Sequence, residues 1–330
     1  MVGDVINDVL VETATAVVAG QDNVASVRVR PGGSAANQAA WMGHLGLDVV
    51  FAGRVGALDA DLHRTELARF GVAARLAVDE SLSTGSIVVL IEADGERTMI
   101  TDRGANLRLA AADVPLDLLD QAALLHLTGY TLFEAGPRRV ALRLITEARR
   151  RGIPFTVDPG SASFLAELAP GDFTGWTQGA AICFPNRDEA ARLAGDADPA
   201  VMAARLTRYY GVVVMKLGAD GVLIATDGST PRRFPAIASV VRDTTGAGDA
   251  FCAGFLAAWL GGAGLTSATA AASRTAATAV ASLGGRPLLK SPGALRSHAQ
   301  RDAVVVVVPL GGLAHPLHVG LVLGQQAGEL

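Results

Sequence analysis

Aromatic residues and cysteines are scarce in this sequence. Only 5% of its 330 residues are Phe, Trp or Tyr, whereas half are hydrophobic, so a large core must consist mainly of Ala, Val and Leu. The two cysteines, Cys183 and Cys252, lie in apolar runs and are too few for a metal cage or a disulfide framework. Buried, reduced thiols are usual in cytosolic proteins, and we therefore expect a cytoplasmic protein.

The chain also lacks a basic surplus and an uninterrupted apolar span. Its formal net charge of −4 argues against a nucleic-acid partner, because such partners require a basic surface. Residues 303–328 contain no Asp, Glu, Lys or Arg, but Pro309, Pro316 and several glycines interrupt them. A continuous helix through lipid is therefore not expected, and the sequence predicts no membrane partner.

Two common nucleotide-binding signatures are missing. No Gly-x-Gly-x-x-Gly opens a helix after a strand, which argues against a dinucleotide-dependent oxidoreductase. No Gly-x-x-x-x-Gly-Lys-Ser/Thr is present either, and this leaves a Walker-type nucleotidase unsupported.

Short β-rich runs alternate with helical patterns through the middle of the chain. Runs such as AALLHLT and PFTVDPG are apolar on both faces, as in a parallel sheet that is covered by helices on each side. We therefore predict an α/β fold, with three α/β/α layers around a mostly parallel, Rossmann-like sheet.

Two regions of strand composition, residues 9–30 and 84–103, are not followed by helices. They contain the turn signals Gly20 and Asp94-Gly95, and they predict a small β-sheet that forms a lid over one edge of the α/β body. The main domain is predicted to span residues 1–298. Residues 299–330 are predicted to form a C-terminal extension, to which no role is assigned.

The stretch RDTTGAGDAF, residues 242–251, leads from strand-like residues into an apolar helix. A glycine-rich turn at a helix start offers unpaired N–H groups and the positive end of the helix dipole to an anion. Gly246, Ala247 and Gly248 therefore predict an anion hole, which the glycines open to close approach. Asp249 is poorly placed to bind phosphate, because like charges repel. It is predicted to be the general base that deprotonates an attacking hydroxyl.

DTTGAGDAFCAGF closely resembles the C-terminal signature of the ribokinase-like (PfkB) family of sugar and nucleoside kinases. RPGGSAANQAAWMGHLG is similar to the family's other signature, and GDVINDVLV, PNRDEA and VVMKLGADGVLI resemble further elements in the family's order. The resemblance covers roughly residues 1–298. It implies an α/β body with a β-sheet lid, and transfer of the γ-phosphate of ATP to a substrate hydroxyl, commonly a primary alcohol.

The resemblance assigns a role to each matched residue. Asp249 resembles the family's catalytic base and residues 246–248 its anion hole. Asn186 and Glu189 are oxygen ligands that suit Mg²⁺ held largely through water and phosphate. The other assignments are Asp8, Gly32, Gly33 and Asn37 for the sugar, Lys216, Gly218, Thr244 and Thr245 for ATP, and Asp243 for a monovalent cation such as K⁺. A homodimer formed through the lid also occurs in this family.

Three positions depart from the family pattern. Only two residues precede Gly3, whereas family members usually have a fuller first strand, so either part of an inner strand is missing or the start of the chain is mis-assigned. VGALDADLH distorts the usual Gly-Asp-x-x-Gly pattern, which weakens the basis for a substrate contact by Asp59. AASRTAATAVASLGG lacks an obvious Asn to contact adenine.

The class of acceptor stays open. Neither lid region contains Phe, Tyr or Trp, on which a nucleobase would stack, and this favours a sugar over a nucleoside. A sugar acid or sugar phosphate is an alternative, because four arginines in or beside the lid suit a carboxylate or phosphate, although solvated strand charges explain them equally well. These are Arg28, Arg30, Arg97 and Arg103. A non-catalytic sugar sensor on the same scaffold is a further alternative, and the retained Asp249 argues against it.

Overall fold

The computed structural model of the protein describes residues 1–91 and 97–288. Its strands in chain order are β1 (Ile6–Thr13), β2 (Ala25–Gly32), β3 (Val49–Gly56), β4 (Val72–Asp79), β5 (Thr84–Ile91), β6 (Arg97–Gly104), β7 (Leu125–Thr128), β8 (Phe155–Asp158), β9 (Ile182–Cys183), β10 (Val212–Lys216), β11 (Val222–Thr226) and β12 (Arg232–Phe234). Its α-helices are α1 (Ser34–His44), α2 (Ala60–Ala68), α3 (Tyr130–Phe133), α4 (Ala135–Arg150), α5 (Ala162–Leu165), α6 (Asp172–Thr177), α7 (Arg187–Ala194), α8 (Pro199–Leu206), α9 (Ala247–Leu260) and α10 (Leu265–Val280). The extension predicted for residues 299–330 lies outside the described residues, as does the end of the predicted main domain.

The central sheet has a parallel middle and an antiparallel edge. β7, β8, β9 and β10 are adjacent and parallel, and β11 and β12 continue the sheet in antiparallel fashion beyond β10. On the other side of β7 lies the parallel pair β3–β4, which is joined to β7 through Val2. This residue forms parallel bridges with Ala52 and Leu127. One bridging residue thus lies between β3 and β7 in the central sheet.

Alternate residues of the central strands face two separate hydrophobic cores. On β10, Val212 and Val214 belong to the core that α1, α9 and α10 cover, whereas Val213 and Met215 belong to the core under α4 and α8. Each β10 face is therefore buried by helices, which explains why this strand is a continuous apolar run. The arrangement confirms the predicted three-layer α/β/α body.

The lid is a separate four-stranded sheet in the order β2–β1–β5–β6, with β1 and β5 parallel and the two outer pairings antiparallel. It confirms the small sheet expected from the sequence, although β1 begins at Ile6 rather than at Val9. β1 leads into the lid directly from the segment that contains Val2. The chain therefore passes directly from the central sheet at Val2 into the lid strand β1.

The two lid faces differ because side chains alternate along a strand. Ile87 and Val89 of β5 face the body and line its main cavity. The opposite face presents Val27, Val29 and Ile100, which are 60%, 64% and 63% exposed. The lid therefore has a mixed inner face over the cavity, with Asp8 and Thr101 beside the aliphatic residues, and an apolar outer face toward solvent.

Within residues 1–91 and 97–288, every helix is too short or too polar to traverse a lipid bilayer.

Candidate active site

A cavity of about 620 Å³ lies between the lid and the start of α9. The lid strands contribute apolar side chains to its wall, and the ends of β8 and β10 contribute Asp158 and Lys216. The turn before α9 contributes Thr244, Thr245 and Gly246, and the first turn of α9 contributes Gly248. The carboxyl ends of adjacent parallel strands and two helix starts therefore meet at this cavity, where ligands bind in open α/β sheets.

The turn at the start of α9 requires glycine. Gly246 has a φ of 72°, and a Cβ atom there would fall 2.4 Å from Cα of Gly285. The N–H of Ala247 donates to Thr244 O at 3.2 Å, whereas no backbone hydrogen bond from Gly246 or Gly248 is found within the described part of the chain. The N–H groups of Gly246 and Gly248 are therefore the candidates for binding an anion at this turn.

Asp249 lies in the first turn of α9 and faces the start of α1. Its Oδ1 accepts hydrogen bonds from Ser34 Oγ at 2.7 Å and Gln38 Nε2 at 3.1 Å, and its Oδ2 accepts one from Asn37 Nδ2 at 3.2 Å. Burial raises the pKa of Asp249 to about 6, while these three hydrogen bonds act in the opposite direction. A carboxylate with this pKa is well matched to general-base chemistry near neutral pH.

Asn37, which was predicted to bind the sugar, lines the main cavity. The structure adds that its amide is shared between Asp249 and Arg286, because Arg286 Nε donates to Asn37 Oδ1 at 3.4 Å. Asn37 therefore connects the predicted base with the segment that follows α10.

Gln38 and His126 extend the network around Asp249, and the sequence did not identify them. Gln38 Nε2 also donates to Asp158 Oδ2 at 3.0 Å, and Gln38 Oε1 lies 2.6 Å from His126 Nε2. Because the amide nitrogen faces two carboxylates, its carbonyl faces His126, whose Nε2 must carry the proton. Nδ1 then accepts from Thr156 Oγ1 at 2.7 Å. Burial lowers the pKa of His126 to about 3, so the ring is neutral.

Lys216 forms a buried ion pair with Asp158, and Asp158 was likewise missed. Nζ lies 3.0 Å from Oδ1 and 3.1 Å from Oδ2. Burial alone lowers the pKa of Lys216, but the charge of Asp158 outweighs this effect and raises it above the ordinary value. A Cβ at Gly248 would lie only 3.6 Å from Nζ. The ammonium group is therefore held beside the start of α9, next to the glycine-rich turn that was predicted to bind the transferred phosphoryl group.

Asn186 and Glu189 meet at the start of α7 in a reciprocal cap. Asn186 Oδ1 accepts from the Glu189 N–H, and the Glu189 carboxylate accepts from Asn186 N and Nδ2, all at 2.8 Å. Burial raises the pKa of Glu189 to about 7. The described residues contain no group of three side chains suited to a metal. One amide and one carboxylate on the cavity wall fit a Mg²⁺ ion that keeps most of its waters.

The predicted sugar-binding residues converge at the base of the lid. A Cβ at Gly32 would fall 2.1 Å from Asp8 Oδ2, and Gly33, with a φ of 92°, leaves room for Asp4 O at 2.6 Å from a Cβ. Both glycines are therefore required by close packing. Burial raises the pKa of Asp8 to about 6, although the Arg286 charge acts in the opposite direction.

Arg103, which lines the main cavity, is paired with a buried carboxylate. Its Nη2 lies 2.9 Å from Asp4 Oδ2 and donates to Tyr130 O at 2.6 Å. The Arg103 and Asp4 side chains are only 6% and 7% exposed. The pair ties the end of β6 to the segment before β1. Arg28 instead faces Glu12 at 3.5 Å on the lid surface.

Asp243 and Asp59 stabilise loops near the cavity. Asp243 Oδ1 accepts from Thr245 N at 2.9 Å, and Oδ2 accepts from Gly284 N at 2.8 Å, so this carboxylate joins the turn before α9 to the segment after α10. Asp59 does not line the main cavity; it accepts hydrogen bonds from Asn7 at 2.6 Å and from Thr84. Little in the sequence supported a substrate contact by Asp59, and its position outside the cavity lining is consistent with that.

Gly218, which was predicted to bind ATP, lines the main cavity together with Lys216.

Comparisons with known proteins agree with this geometry. The chain is 30% identical over 243 residues to an ATP-dependent ribose-1-phosphate kinase from Halopiger xanaduensis, over 73% of this chain and 77% of the relative. It is 29% identical over 278 residues to an adenosine kinase from Dictyostelium discoideum, over 78% and 80% of the two chains.

A protein described as ribokinase II from E. coli, solved in complex with ATP and Mg²⁺, has the same fold. The TM-score is 0.77 at 21% sequence identity, over 86% of this chain and 92% of that chain. The model of the pfkB family of carbohydrate kinases matches residues 1–291. The chain therefore belongs to the pfkB carbohydrate kinase family and is an ATP-dependent sugar or nucleoside kinase.

Proposed function

We propose that the protein transfers the γ-phosphate of ATP to a hydroxyl of a sugar, with Asp249 as the general base. The observation that carries this proposal is the position of Asp249 on the same cavity as Gly248 and Lys216. A proton acceptor, backbone N–H donors and a fixed cation thus face one space large enough for an acceptor and the end of a nucleotide. Phosphoryl transfer depends mainly on such positioning and charge stabilisation.

In the proposed reaction, Asp249 takes the proton of the acceptor hydroxyl as the hydroxyl oxygen bonds to the γ-phosphorus. The bond between that phosphorus and the β–γ bridging oxygen breaks, and ADP leaves. The Gly246 and Gly248 N–H groups and the Lys216 ammonium group stabilise the negative charge of the phosphoryl group in transit. Ser34, Asn37 and Gln38 hold the carboxylate of the base in one orientation. A primary alcohol is the expected acceptor group.

We assign the ATP phosphates to Lys216, Gly218, Thr244 and Thr245, and Mg²⁺ to Asn186 and Glu189. All of these residues line the main cavity. When bound, the ion supplies charge neutralisation at the phosphates. Asp243 remains our candidate ligand for a monovalent cation such as K⁺, because it lies between two loops that border the acceptor end of the cavity.

We favour a sugar over a nucleoside because the lid wall of the cavity carries no aromatic platform. The lid residues that line it are Ile6, Asp8, Ile87, Val89, Met99, Thr101 and Arg103. An aliphatic wall with one free carboxylate suits a polyol, whereas a nucleobase favours an aromatic face. The relationship to an adenosine kinase keeps a nucleoside as the second candidate acceptor. A non-catalytic sugar sensor is disfavoured, because a sensor has no use for a proton acceptor at the position of Asp249.

We also propose that two copies associate through the outer lid face, where Val27, Val29 and Ile100 form an apolar surface. Light scattering of the purified protein and of Val29→Glu tests this association, and a monomeric wild type would refute it. The two unpaired, buried cysteines support a cytoplasmic location.

The proposed function is tested by measuring ATP consumption with a panel of pentoses, hexoses, sugar acids, sugar phosphates and nucleosides. We expect Mg²⁺-dependent ADP release with at least one sugar-type acceptor and with none of the nucleosides. Selective turnover of a nucleoside would replace the sugar assignment. Absence of turnover with every acceptor, in protein that binds ATP, would contradict catalysis.

A further inference from the structure

The hydroxyl group of Ser34 is hydrogen-bonded to the proposed base. Ser34 Oγ donates to Asp249 Oδ1 at 2.7 Å, and it accepts from Gln38 Nε2 at 3.2 Å. A serine hydroxyl has one proton and two lone pairs, so these two contacts leave one lone pair of Oγ without a donor. Ser34 thus has the arrangement of an activated nucleophile, because its proton points at a base and an electron pair stays available for attack.

Ser34 faces the space to which the transferred phosphoryl group is assigned. It is half-buried and lines the main cavity together with Gly246, Gly248 and Lys216, whereas its other partner, Gln38, is fully buried. The side chain begins α1 at the cavity wall. ATP phosphates held by the glycine N–H groups and the ammonium group would therefore share one cavity with Ser34 Oγ, next to one base.

The carboxylate of Asp249 can serve two different hydroxyl groups. Oδ1 accepts hydrogen bonds from Ser34 and Gln38, and Oδ2 accepts one from Asn37. A carboxylate has about four lone-pair sites, so Oδ2 keeps one site for the hydroxyl of an external acceptor. When that acceptor is absent, the Ser34 hydroxyl on Oδ1 is the group from which Asp249 can take a proton.

Other hydroxyl groups also line the main cavity. They belong to Thr101, Tyr130, Thr244 and Thr245. Tyr130 donates its hydroxyl to Gly160 O at 3.3 Å, and burial raises the pKa of Tyr130 above its ordinary value. The three threonines are the alternative protein acceptors, and an experiment must distinguish them from Ser34.

We propose a second activity, in which the protein phosphorylates its own Ser34 when no acceptor is bound. The inference rests on the proposed function, because it uses the same base and the same phosphate-binding groups. Asp249 takes the proton of Ser34 Oγ as this oxygen bonds to the γ-phosphorus of ATP. The bond between that phosphorus and the β–γ bridging oxygen breaks, and ADP leaves.

The product is a phosphate monoester on Ser34, which carries about −1.5 to −2 charges at neutral pH. It lies beside Asp249, where it fills the space for an acceptor hydroxyl and repels the phosphates of a second ATP. The modified protein is therefore inactive as a kinase, so that ATP consumption without an acceptor stops after a single phosphate per chain.

The sequence allows the modified residue to be identified directly. Trypsin leaves residues 29–54 in one peptide, because it does not cleave between Arg30 and Pro31, and Ser34 is the one Ser, Thr or Tyr in this peptide. The purified protein is incubated with Mg²⁺ and ATP radiolabelled in the γ-phosphate, without an acceptor, and its peptides are analysed by mass spectrometry. We expect label on residues 29–54. Label on residues 243–274 instead, or no label in protein that turns over a sugar, would overturn the proposal and leave the kinase assignment intact.

Three variants distinguish this reaction from modification by a contaminating kinase. Ser34→Ala removes the accepting oxygen and should abolish the label on residues 29–54. Asp249→Asn keeps the shape of the side chain and should lower the labelling rate by at least about 100-fold. Ser26→Ala, at an exposed position of β2, is the matched control and should be labelled like wild type. Undiminished labelling of Ser34 in Asp249→Asn would refute the proposed chemistry.

Rate measurements test whether the transfer occurs within one active site. The first-order rate constant of labelling should be independent of protein concentration, and a rate constant that rises with concentration would refute transfer within one molecule. A sugar that the protein phosphorylates, at about ten times its Kd, should slow labelling by about tenfold, since both hydroxyls compete for one γ-phosphate. Sugar turnover that leaves labelling unaffected would contradict a shared site. Labelling of Ser34 without turnover of any sugar would support self-phosphorylation and contradict the proposed sugar kinase function.

Discussion

The side-chain amide of Gln38 donates to Asp249 Oδ1 across 3.1 Å, from a position with no solvent exposure. The same nitrogen lies 3.0 Å from Asp158 Oδ2, and the amide carbonyl is fixed by His126. Gln38 therefore cannot rotate without losing contacts on both sides. It holds the base in place and lowers the pKa of Asp249 against the raising effect of burial.

Replacing Gln38 with Leu should move the pH profile of the enzyme. Leu has a similar volume but cannot donate to Asp249, so the pKa of the base should rise from about 6 by roughly one unit. Activity requires the deprotonated base, so the acid limb of kcat/KM should shift to higher pH by the same amount. Steady-state rates between pH 5 and 9 measure this shift.

Gln21→Leu, in an exposed turn, is the control for this substitution. A uniform loss of activity at all pH values in Gln38→Leu, with the acid limb unmoved, would mean that Gln38 has a packing role only.

Asp249→Asn tests the base itself. Asn keeps the shape of the side chain but cannot accept the proton, so turnover should fall by about 10²–10⁴-fold, the usual contribution of a general base. ATP affinity, measured by calorimetry, should stay close to wild type, because the N–H groups of the turn are unchanged. Asp61→Asn, an exposed aspartate in the first turn of α2, should have no effect. Turnover near the wild-type rate would remove Asp249 from the mechanism.

Asp8→Ala tests the acceptor site. Asp8 lies on the lid against Gly32 and is not among the residues assigned to ATP. Removing it should weaken acceptor binding by about 10- to 100-fold, the range expected when a charged hydrogen-bond partner is lost. ATP affinity should change little. Comparable losses for acceptor and ATP in titrations of the same preparation would contradict a site specific to the acceptor.

Local pattern was sufficient to predict the elements that build the site. The glycine-rich turn before α9 and the two lid regions carry their own turn chemistry and strand composition, and the structure contains both. Residues that act through partners distant in sequence were not predicted. Asp158 follows a buried strand, and Gln38 lies one helical turn after Ser34, but their contact depends on how α1 meets the end of β8.

For Arg103, too, the partner could not be predicted from the sequence. Its place in an alternating strand at the lid suggested a side chain free to bind a substrate anion. The structure instead pairs it with Asp4, 99 positions earlier in the chain. A buried guanidinium needs a counter-charge, and sequence spacing alone does not reveal which carboxylate supplies it. Arg286, which donates to Asn37 Oδ1, was likewise marked by no motif.

The Lys216–Asp158 pair should contribute to both stability and nucleotide binding, and variants can separate the two effects. Lys216→Met leaves Asp158 as an uncompensated buried charge and should reduce the free energy of unfolding by about 3–5 kcal/mol, measured by urea denaturation. Asp158→Asn leaves the ammonium group unpaired and should also destabilise. The double variant removes both charges, so it should be more stable than the sum of the two single losses predicts.

ATP binding should follow a different pattern, because the ammonium group adjoins Gly248 while Asp158 repels phosphate. Lys216→Met and the double variant should both bind ATP weakly, whereas Asp158→Asn should keep its affinity. Arg150→Met, which removes an exposed pair with Glu147, provides the surface control and should cost less than about 1 kcal/mol. Additive stability losses would show that the two charges do not interact. Restored ATP affinity in the double variant would mean that Lys216 serves only to neutralise Asp158.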